Sequence, residues 1–285
     1  MATKVYIDGR VYPPEEATVS VFDRGFLYGD SVYEVTRTVR GRPLELGAHL
    51  ARLERSAEAI ALVLPPRAEI VRAIDETLAA AANAESYLRI MVTRGAGPIN
   101  LDPAAADRPR LIVLVKAMEL PPTKAYSDGV AVCIVGVQRN LRRAVDPRVK
   151  SGNYLNNLLA LAEAKQSGAY EALMCDFQGR LAEGSTSNYF FVRDGAVLTP
   201  PLDVGILEGI TRHRIMDLAH KAGLPVHEME LWPRDVKSFS EAFLTSSVRG
   251  IVPVVTIDAT PVGAGVPGPV TTRVMAAYAA FLEAS

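Results

Sequence analysis

Residues 119–129, Glu-Leu-Pro-Pro-Thr-Lys-Ala-Tyr-Ser-Asp-Gly, constrain the fold more than any other stretch. Adjacent prolines remove two backbone donors and fix φ, and the closing Asp-Gly favours a turn. The stretch is therefore expected to join neither a helix nor a sheet ladder. A chain of 285 residues is also longer than one small core requires. The expected organisation is a small α+β domain over 1–118, an interdomain linker over 119–128 and a larger domain over 129–285.

Local patterns fill in both halves. Asp8-Gly9 lies between two β-prone triplets and supplies the positive φ angles of a two-residue hairpin turn. Residues 31–40 alternate β-branched and aromatic with polar side chains before Gly41, as a strand does. Leu50, Leu53, Ala57, Ile60 and Leu64 recur at helical spacing, as do Ile70, Val71, Ile74 and Leu78. Strand character returns over 87–93 and 111–116. Beyond the break a strand is expected over 130–137 and a helix over 154–166, stopped by Gly168. Short strands follow, with turns at Gln178-Gly179 and Asp194-Gly195. Further helices are expected over 211–221 and 270–282, with a loop over 263–268.

Composition narrows the function classes. The chain is 49 % apolar and 22 % charged, which suits a packed globular protein rather than a disordered one. Its 31 basic and 32 acidic residues are interspersed, so no basic face is offered to nucleic acid or anionic lipid. A small-molecule partner is expected. Cys133 and Cys175 lie in apolar runs without metal-ligand spacing and read as buried thiols of a reducing compartment. The N-terminal residues show no basic-then-apolar leader and no apolar run reaches membrane-spanning length, so a cytoplasmic protein without membrane contact is expected. Gly95-Ala96-Gly97-Pro98-Ile99-Asn100 lacks the third glycine of a dinucleotide loop, and no nucleophile elbow or Walker loop occurs. His213, His220 and His227 are seven apart without completing a ligand set, so no metal is expected.

Six ordered motifs carry the positive signal. They are Asp23-Arg24-Gly25-Phe26-Leu27-Tyr28-Gly29-Asp30, Val32-Tyr33-Glu34, His49-Leu50-Ala51-Arg52-Leu53, Lys150-Ser151-Gly152-Asn153-Tyr154-Leu155, Glu183-Gly184-Ser185 and Gly209-Ile210-Thr211-Arg212. Together they resemble the class IV, fold-type IV aminotransferases, enzymes dependent on pyridoxal 5′-phosphate (PLP), and the resemblance runs from residue 5 to residue 257. It implies a two-domain α+β architecture, an α/β sandwich followed by a β-barrel-like domain with helices, with the cofactor between them. It also implies a homodimer whose site borrows a loop from the partner.

The resemblance assigns the site residue by residue. Lys150 takes the position of the lysine that binds PLP as a Schiff base and shuttles the substrate proton. Composition alone would make it a solvated loop lysine. Glu183 takes the position of the anion beside the pyridine nitrogen, against a plain reading as a turn carboxylate. Arg52 offers a planar fork to the phosphate, or pairs with Glu45 or Glu54 on its own helix face. Ile210 and Thr211 open a helix whose unpaired N–H groups suit the same phosphate, and Ser247 of Thr245-Ser246-Ser247 adds a hydroxyl. Tyr154 matches the tyrosine at the cofactor's phenolic oxygen, and could equally be a core aromatic.

Substrate signals are mixed. D-amino-acid aminotransferases place an Arg-x-His pair after Thr-Arg-Gly, whereas Thr93-Arg94-Gly95 is followed by Ile99 and Leu101 at those places. Tyr87-Leu88-Arg89, Leu101-Asp102-Pro103 and Asn153-Tyr154-Leu155-Asn156 resemble branched-chain members instead. Thr186-Ser187-Asn188 replaces their Gly-Glu-Asn, and Arg249 replaces a small residue. Tyr33, Arg89, Val248 and Arg249 are expected to bind substrate, with Arg249 meeting an anion or solvent because an unpaired buried arginine is costly. The leading expectation is transamination between a branched-chain-like L-amino acid and 2-oxoglutarate in ping-pong order. The alternatives are a D-amino-acid or (R)-amine transaminase, a 4-amino-4-deoxychorismate lyase and a non-catalytic PLP-binding protein.

Overall fold

The computed structural model describes residues 2–285, and their contacts divide the chain into two compact units. Met1, the first residue of the expected small domain, lies outside the described residues. The first unit comprises 1–119 and 149–154, and the second 120–148 and 155–285.

The first unit is a six-stranded antiparallel sheet with helices. Strands β1 (Lys4–Ile7) and β2 (Arg10–Tyr12) form the expected hairpin, with Asp8 at φ 42° and Gly9 at φ 100°. Helix α1 (Arg24–Tyr28) is capped by the Asp23 carboxylate, which accepts from Gly25 N at 2.8 Å, and stops at Gly29 in the left-handed region. Next come β3 (Ser31–Val39), β4 (Arg42–Pro43), α2 (Leu46–Ala59), α3 (Arg67–Ala81), β5 (Ser86–Thr93) and β6 (Arg110–Ala117). The sheet order is β2-β1-β6-β5-β3-β4. Alternate residues Val32, Leu88, Ile90, Val113 and Val115 face Leu50, Leu53, Ile70 and Ile74 of the helices, forming this unit's core.

The second unit opens where a linker was expected. Residues Thr123–Ser127 form a short helix, α4, which corrects the expectation that the prolines exclude one. Pro122 sits at the N-cap, where a missing N–H breaks no helical hydrogen bond. Strand β7 (Val130–Ile134) ends earlier than expected because Gly136 N and Val137 N donate to Glu163 at 2.7 and 3.3 Å instead of to a ladder. Then follow α5 (Leu155–Gln166), β8 (Glu171–Leu173), β9 (Asn188–Arg193), β10 (Ala196–Thr199), α6 (Ile210–Lys221), β11 (Val226–Glu228), β12 (Glu241–Ser246), β13 (Gly250–Ile257), β14 (Thr260–Pro261) and α7 (Pro269–Ala284).

The strand path is β11-β10-β9-β12-β13-β7-β8, with β14 on β13. Isolated bridges Cys175↔Leu181 and Glu183↔Asn188 lead from the end of β8 back to the start of β9, so the sheet is barrel-like. Its two faces are read from β9. Tyr189 and Phe191 pack with Leu173, Leu244 and Val252, whereas Phe190 points the other way against α6 and α7 with Ile215 and Val274. Cys175 is buried, and burial pushes its thiol up to about 11 with help from the Asp176 carboxylate. Cys133 is only half-buried, a correction to the expected burial, because it packs at the margin of the cluster formed by Val135, Ala160, Ala164 and Met174 rather than within it.

Two features depart from the expected partition at 118 and 129. Residues 120–128 belong to the second unit rather than to a separate linker, and 149–154 return to the first. The return is held by sheet hydrogen bonds beside β3. Tyr33 N donates to Lys150 O at 2.9 Å and Gly152 N donates to Ser31 O at 2.8 Å. Among the described residues no helix is long and apolar enough to cross a membrane.

Candidate active site

Strand β3 sets Tyr33 and Glu34 on opposite faces. Glu34 points to the helix side, where α2 presents His49 and Arg52 three residues apart. Arg52 donates from Nε to Glu34 Oε1 at 2.6 Å and from Nη2 to Oε2 at 2.7 Å, and His49 Nδ1 donates to Oε2 at 2.7 Å. All three side chains are buried. Burial alone would raise the Glu34 carboxyl, but the Arg52 guanidinium and the His49 bond outweigh it and hold the group down to about 2. Arg52 thus has its carboxylate partner on the neighbouring strand, not in Glu45 or Glu54.

On the other face of β3, Tyr33 is 5 % exposed and flanked by two cations. The Arg89 guanidinium lies 4.1 Å from its ring centroid and Lys150 Nζ lies 4.6 Å from it. The Tyr154 ring meets Tyr33 edge-on at 5.4 Å, and Lys150 Nζ approaches the Tyr154 hydroxyl at 3.4 Å. Burial first, then Tyr154, pushes the Tyr33 hydroxyl well above its usual value, so it stays protonated. Lys150 is anchored through its backbone, whose N–H donates to Ser56 Oγ at 3.1 Å. Among the described residues, no carboxylate pairs with Lys150 or Arg89. The first unit therefore brings Lys150, Tyr154, Tyr33 and Arg89 together, leaving a half-buried amine beside two aromatic rings with no counter-ion.

The second unit gathers the other candidates at the end of the sheet where β9 begins and β12 ends. Glu183 is buried and accepts from Arg139 Nε at 2.7 Å on one oxygen. Its other oxygen accepts from Leu207 N at 3.0 Å and Asn188 Nδ2 at 3.3 Å. A turn-exposed carboxylate is thereby ruled out. Arg139 also donates to Asn156 Oδ1 at 3.0 Å and Asn157 Oδ1 at 3.3 Å, which ties Glu183 to the start of α5. Helix α6 begins after Gly209 with no side-chain cap. A Cβ at Gly209 would collide with Asn188 Oδ1, so glycine lets the helix end approach this strand closely. The Thr211 and Ser247 hydroxyls converge there, 3.4 Å apart. Ile210, Val248 and Arg249 are partly accessible. Arg249 meets neither solvent alone nor an open site, since its guanidinium bonds Glu171 at 3.1 Å.

Glu34, His49, Arg139, Glu171 and Asn188 are structurally central residues to which sequence reading assigned no role. One signal was available. A carboxylate set directly beside apolar strand residues, as Glu34 between Tyr33 and Val35 or Glu171 before Ala172 and Leu173, is buried only with a partner.

Comparison with known proteins places this geometry. The family model for amino-transferase class IV matches residues 31–257. The chain belongs to the class IV aminotransferases. The aminotransferase is 37 % identical over 256 residues to a Methanocaldococcus jannaschii protein assigned as a branched-chain-amino-acid aminotransferase, covering 90 % of this chain and 88 % of that one. It is 31 % identical to the D-alanine aminotransferase of Bacillus licheniformis, covering 96 % and 95 %. The branched-chain amino acid aminotransferase of Thermobaculum terrenum, solved in its PLP form, superposes with a TM-score of 0.86 at 28 % identity, covering 99 % and 94 %. The fold is that of a fold-type IV enzyme, and the aminotransferase is PLP-dependent. Its residues fit the group. An amine without a counter-ion, a capless helix start with two hydroxyls, and a buried carboxylate paired with Arg139 are the donor and acceptor types that PLP requires.

Proposed function

We propose that the enzyme transfers an amino group between a branched-chain-like L-amino acid and a 2-oxo acid such as 2-oxoglutarate, in ping-pong order, with Lys150 as the catalytic amine. The observation that carries the reading is Lys150 Nζ lying 4.6 Å from the Tyr33 ring centroid and 5.5 Å from that of Tyr154, with no carboxylate partner among the described residues. Such an amine is available both for covalent attachment and for proton transfer. When bound, PLP supplies an aldehyde for the lysine and an electron-withdrawing ring.

The chain's own residues divide the remaining work. Lys150 Nζ would take the proton from the substrate's α-carbon and give it up again to the cofactor side within the same half-reaction, and would run this transfer in the opposite direction in the second. The Tyr33 ring face stabilises the ammonium form while that proton is held. Tyr154 would hydrogen-bond the cofactor's phenolic oxygen. Glu183, paired with Arg139, would hold a proton on the ring nitrogen. Arg52, oriented by Glu34, would serve the phosphate with Ile210, Thr211 and Ser247. Tyr33, Arg89 and Val248 would line the substrate side, with Arg89 the cation that no carboxylate of the described chain engages, whereas Arg249, expected beside them, is held by Glu171.

The side-chain preference is supported by the names of the M. jannaschii and T. terrenum relatives, and by Ile99 and Leu101 standing where a D-amino-acid carboxylate trap would need Arg and His. A homodimer is supported by Leu155, Leu158 and Leu159, which expose an apolar stripe on α5. A reducing, cytoplasmic setting is supported by two free cysteines.

The test is borohydride reduction of the wild type beside Lys150→Ala, followed by a donor panel at fixed 2-oxoglutarate. Wild-type protein is expected to fix the cofactor permanently and to prefer L-leucine over D-alanine and (R)-phenylethylamine. Lys150→Ala is expected to fix none and to lose about 1000-fold or more in turnover. Permanent fixation by Lys150→Ala would overturn the assignment. Preference for D-alanine would move the enzyme to the D-amino-acid group, and pyruvate release without an acceptor to the lyases.

A further inference from the structure

Arg249 lies in the turn between β12 and β13, and all its guanidinium nitrogens have acceptors within the second unit. Nε donates to Ser246 Oγ at 3.2 Å and Nη1 to Glu171 Oε2 at 3.1 Å. Nη2 donates to the same Glu171 oxygen at 3.1 Å and to Thr186 Oγ1 at 2.9 Å. The Arg249 carbonyl is held as well, accepting from the Tyr126 hydroxyl at 3.0 Å.

Glu171, at the start of β8, is the common acceptor. Its side chain is 2 % exposed. Oε1 accepts from Ala172 N at 3.0 Å, Ser185 N at 3.1 Å and Ser185 Oγ at 2.5 Å. Oε2 accepts from Thr186 Oγ1 at 3.3 Å and Ser187 Oγ at 3.4 Å in addition to Arg249. One carboxylate therefore gathers the whole 184–187 turn, which directly follows Glu183, and Arg249 connects it to the 246–249 turn, which carries Ser247.

We propose that Arg249 is a positioning residue: through Glu171 it bolts the 184–187 turn to the 246–249 turn, and so fixes the spacing of Glu183 and Ser247 rather than binding the substrate carboxylate. The proposal rests on the reading of Glu183 and Ser247 as cofactor contacts. Lending Arg249 to a substrate anion would strand the Glu171 carboxylate, buried, without its cation. Burial alone would lower the proton affinity of Arg249, but Glu171 and then Tyr170 more than offset it, so the guanidinium keeps its charge in place. The two turns belong to different strand connections: the β9–β12 ladder ends at the Asn188–Thr245 pair beside them, and no backbone pairing continues between 184–187 and 246–249. Side chains supply the bond that the sheet does not.

Four variants test this: Arg249→Met, Arg249→Lys, Glu171→Gln and the Arg249→Met/Glu171→Gln double. The readouts are amide hydrogen exchange of the apoprotein, release of PLP into an aldehyde scavenger, and KM for 2-oxoglutarate against pyruvate. The clamp predicts that exchange speeds up in both turns in Arg249→Met and also in Glu171→Gln. PLP release is expected to rise about tenfold in each, with the double variant no worse than the more severe single. Arg249→Lys, which keeps the charge, is expected to recover part of the loss, and the 2-oxoglutarate to pyruvate KM ratio to stay unchanged. Faster exchange in one turn only, or unchanged PLP release, would overturn the proposal. So would an Arg249→Met enzyme whose KM rises for 2-oxoglutarate alone while Glu171→Gln lowers it. The exchange experiment needs no cofactor, so a failure of the PLP reading, seen in the borohydride experiment, is separable from a failure of the clamp.

Discussion

Glu34 in the first unit and Glu171 in the second are both buried and both hold an arginine, and they use it differently. Glu34 and Arg52 stand on a strand and a helix that are already packed together through Val32, Leu50 and Leu53. Their two parallel hydrogen bonds orient one guanidinium and leave the backbone around them to its own ladders. Glu171 stands on the β7–β8 ladder, but its donors Ser185, Thr186, Ser187 and Arg249 lie in two turns just beyond the last paired residues of β9 and β12, Asn188 and Thr245. The same ion pair is an aiming device where the scaffold is rigid and a fastener where it is not. What decides between them is the backbone to which each partner is attached.

The largest expected effect probes the aiming device. Glu34→Ala leaves Arg52 charged at 4 % exposure and should destabilise the first unit by about 3–5 kcal/mol, measured by urea unfolding. Replacing both Glu34 and Arg52 by leucine or methionine should recover most of that stability while leaving phosphate affinity impaired. Full recovery of both would show that Arg52 aims at nothing.

Acid gives the next effect. Glu34 has a carboxyl depressed from 4.5 to about 2, so its contribution is complete above about 4.5 and is lost as pH falls toward 2. That window should remove about 3 kcal/mol from the wild type, and the loss should be absent in Glu34→Gln. An acid unfolding curve unchanged by Glu34→Gln contradicts the sign or the size.

Smaller still is His49→Gln, which removes one of three bonds to Glu34 and should cost about 1 kcal/mol. A loss as large as that of Glu34→Ala would make His49, not Arg52, the partner that matters. Last comes Thr211→Val on the second unit, expected to weaken inhibition by inorganic phosphate roughly fivefold, about 1 kcal/mol, without moving the unfolding midpoint. An equal loss of stability would mean that Thr211 mainly caps α6.

Short-range order was legible in the sequence. The Asp8-Gly9 hairpin, the two amphipathic helices and the glycine stops need only neighbours within a turn or two, although the first helix ends at Ala59 and leaves Leu64, expected on it, outside. Motif order was legible as well and led to the family. Partners were not. Arg52 seemed matched to Glu45 or Glu54 because these are carboxylates near it in sequence, whereas the packing of α2 against β3 brought Glu34 from 18 residues away. Arg249 was recognised as needing an anion, but Glu171 lies 78 residues off on a strand that reads as apolar. The 119–129 break was over-read, since a proline that bars a helix interior is tolerated at the N-cap just before the helix.

The excursion of residues 149–154 into the first unit means that the polypeptide passes from one unit to the other three times, at 119/120, 148/149 and 154/155. No single cut can therefore yield either unit whole. A gene fragment ending at residue 119 would encode the six strands yet omit the stretch bearing the reactive amine. Separating the units into independently expressed parts would need that hexapeptide grafted back beside β3.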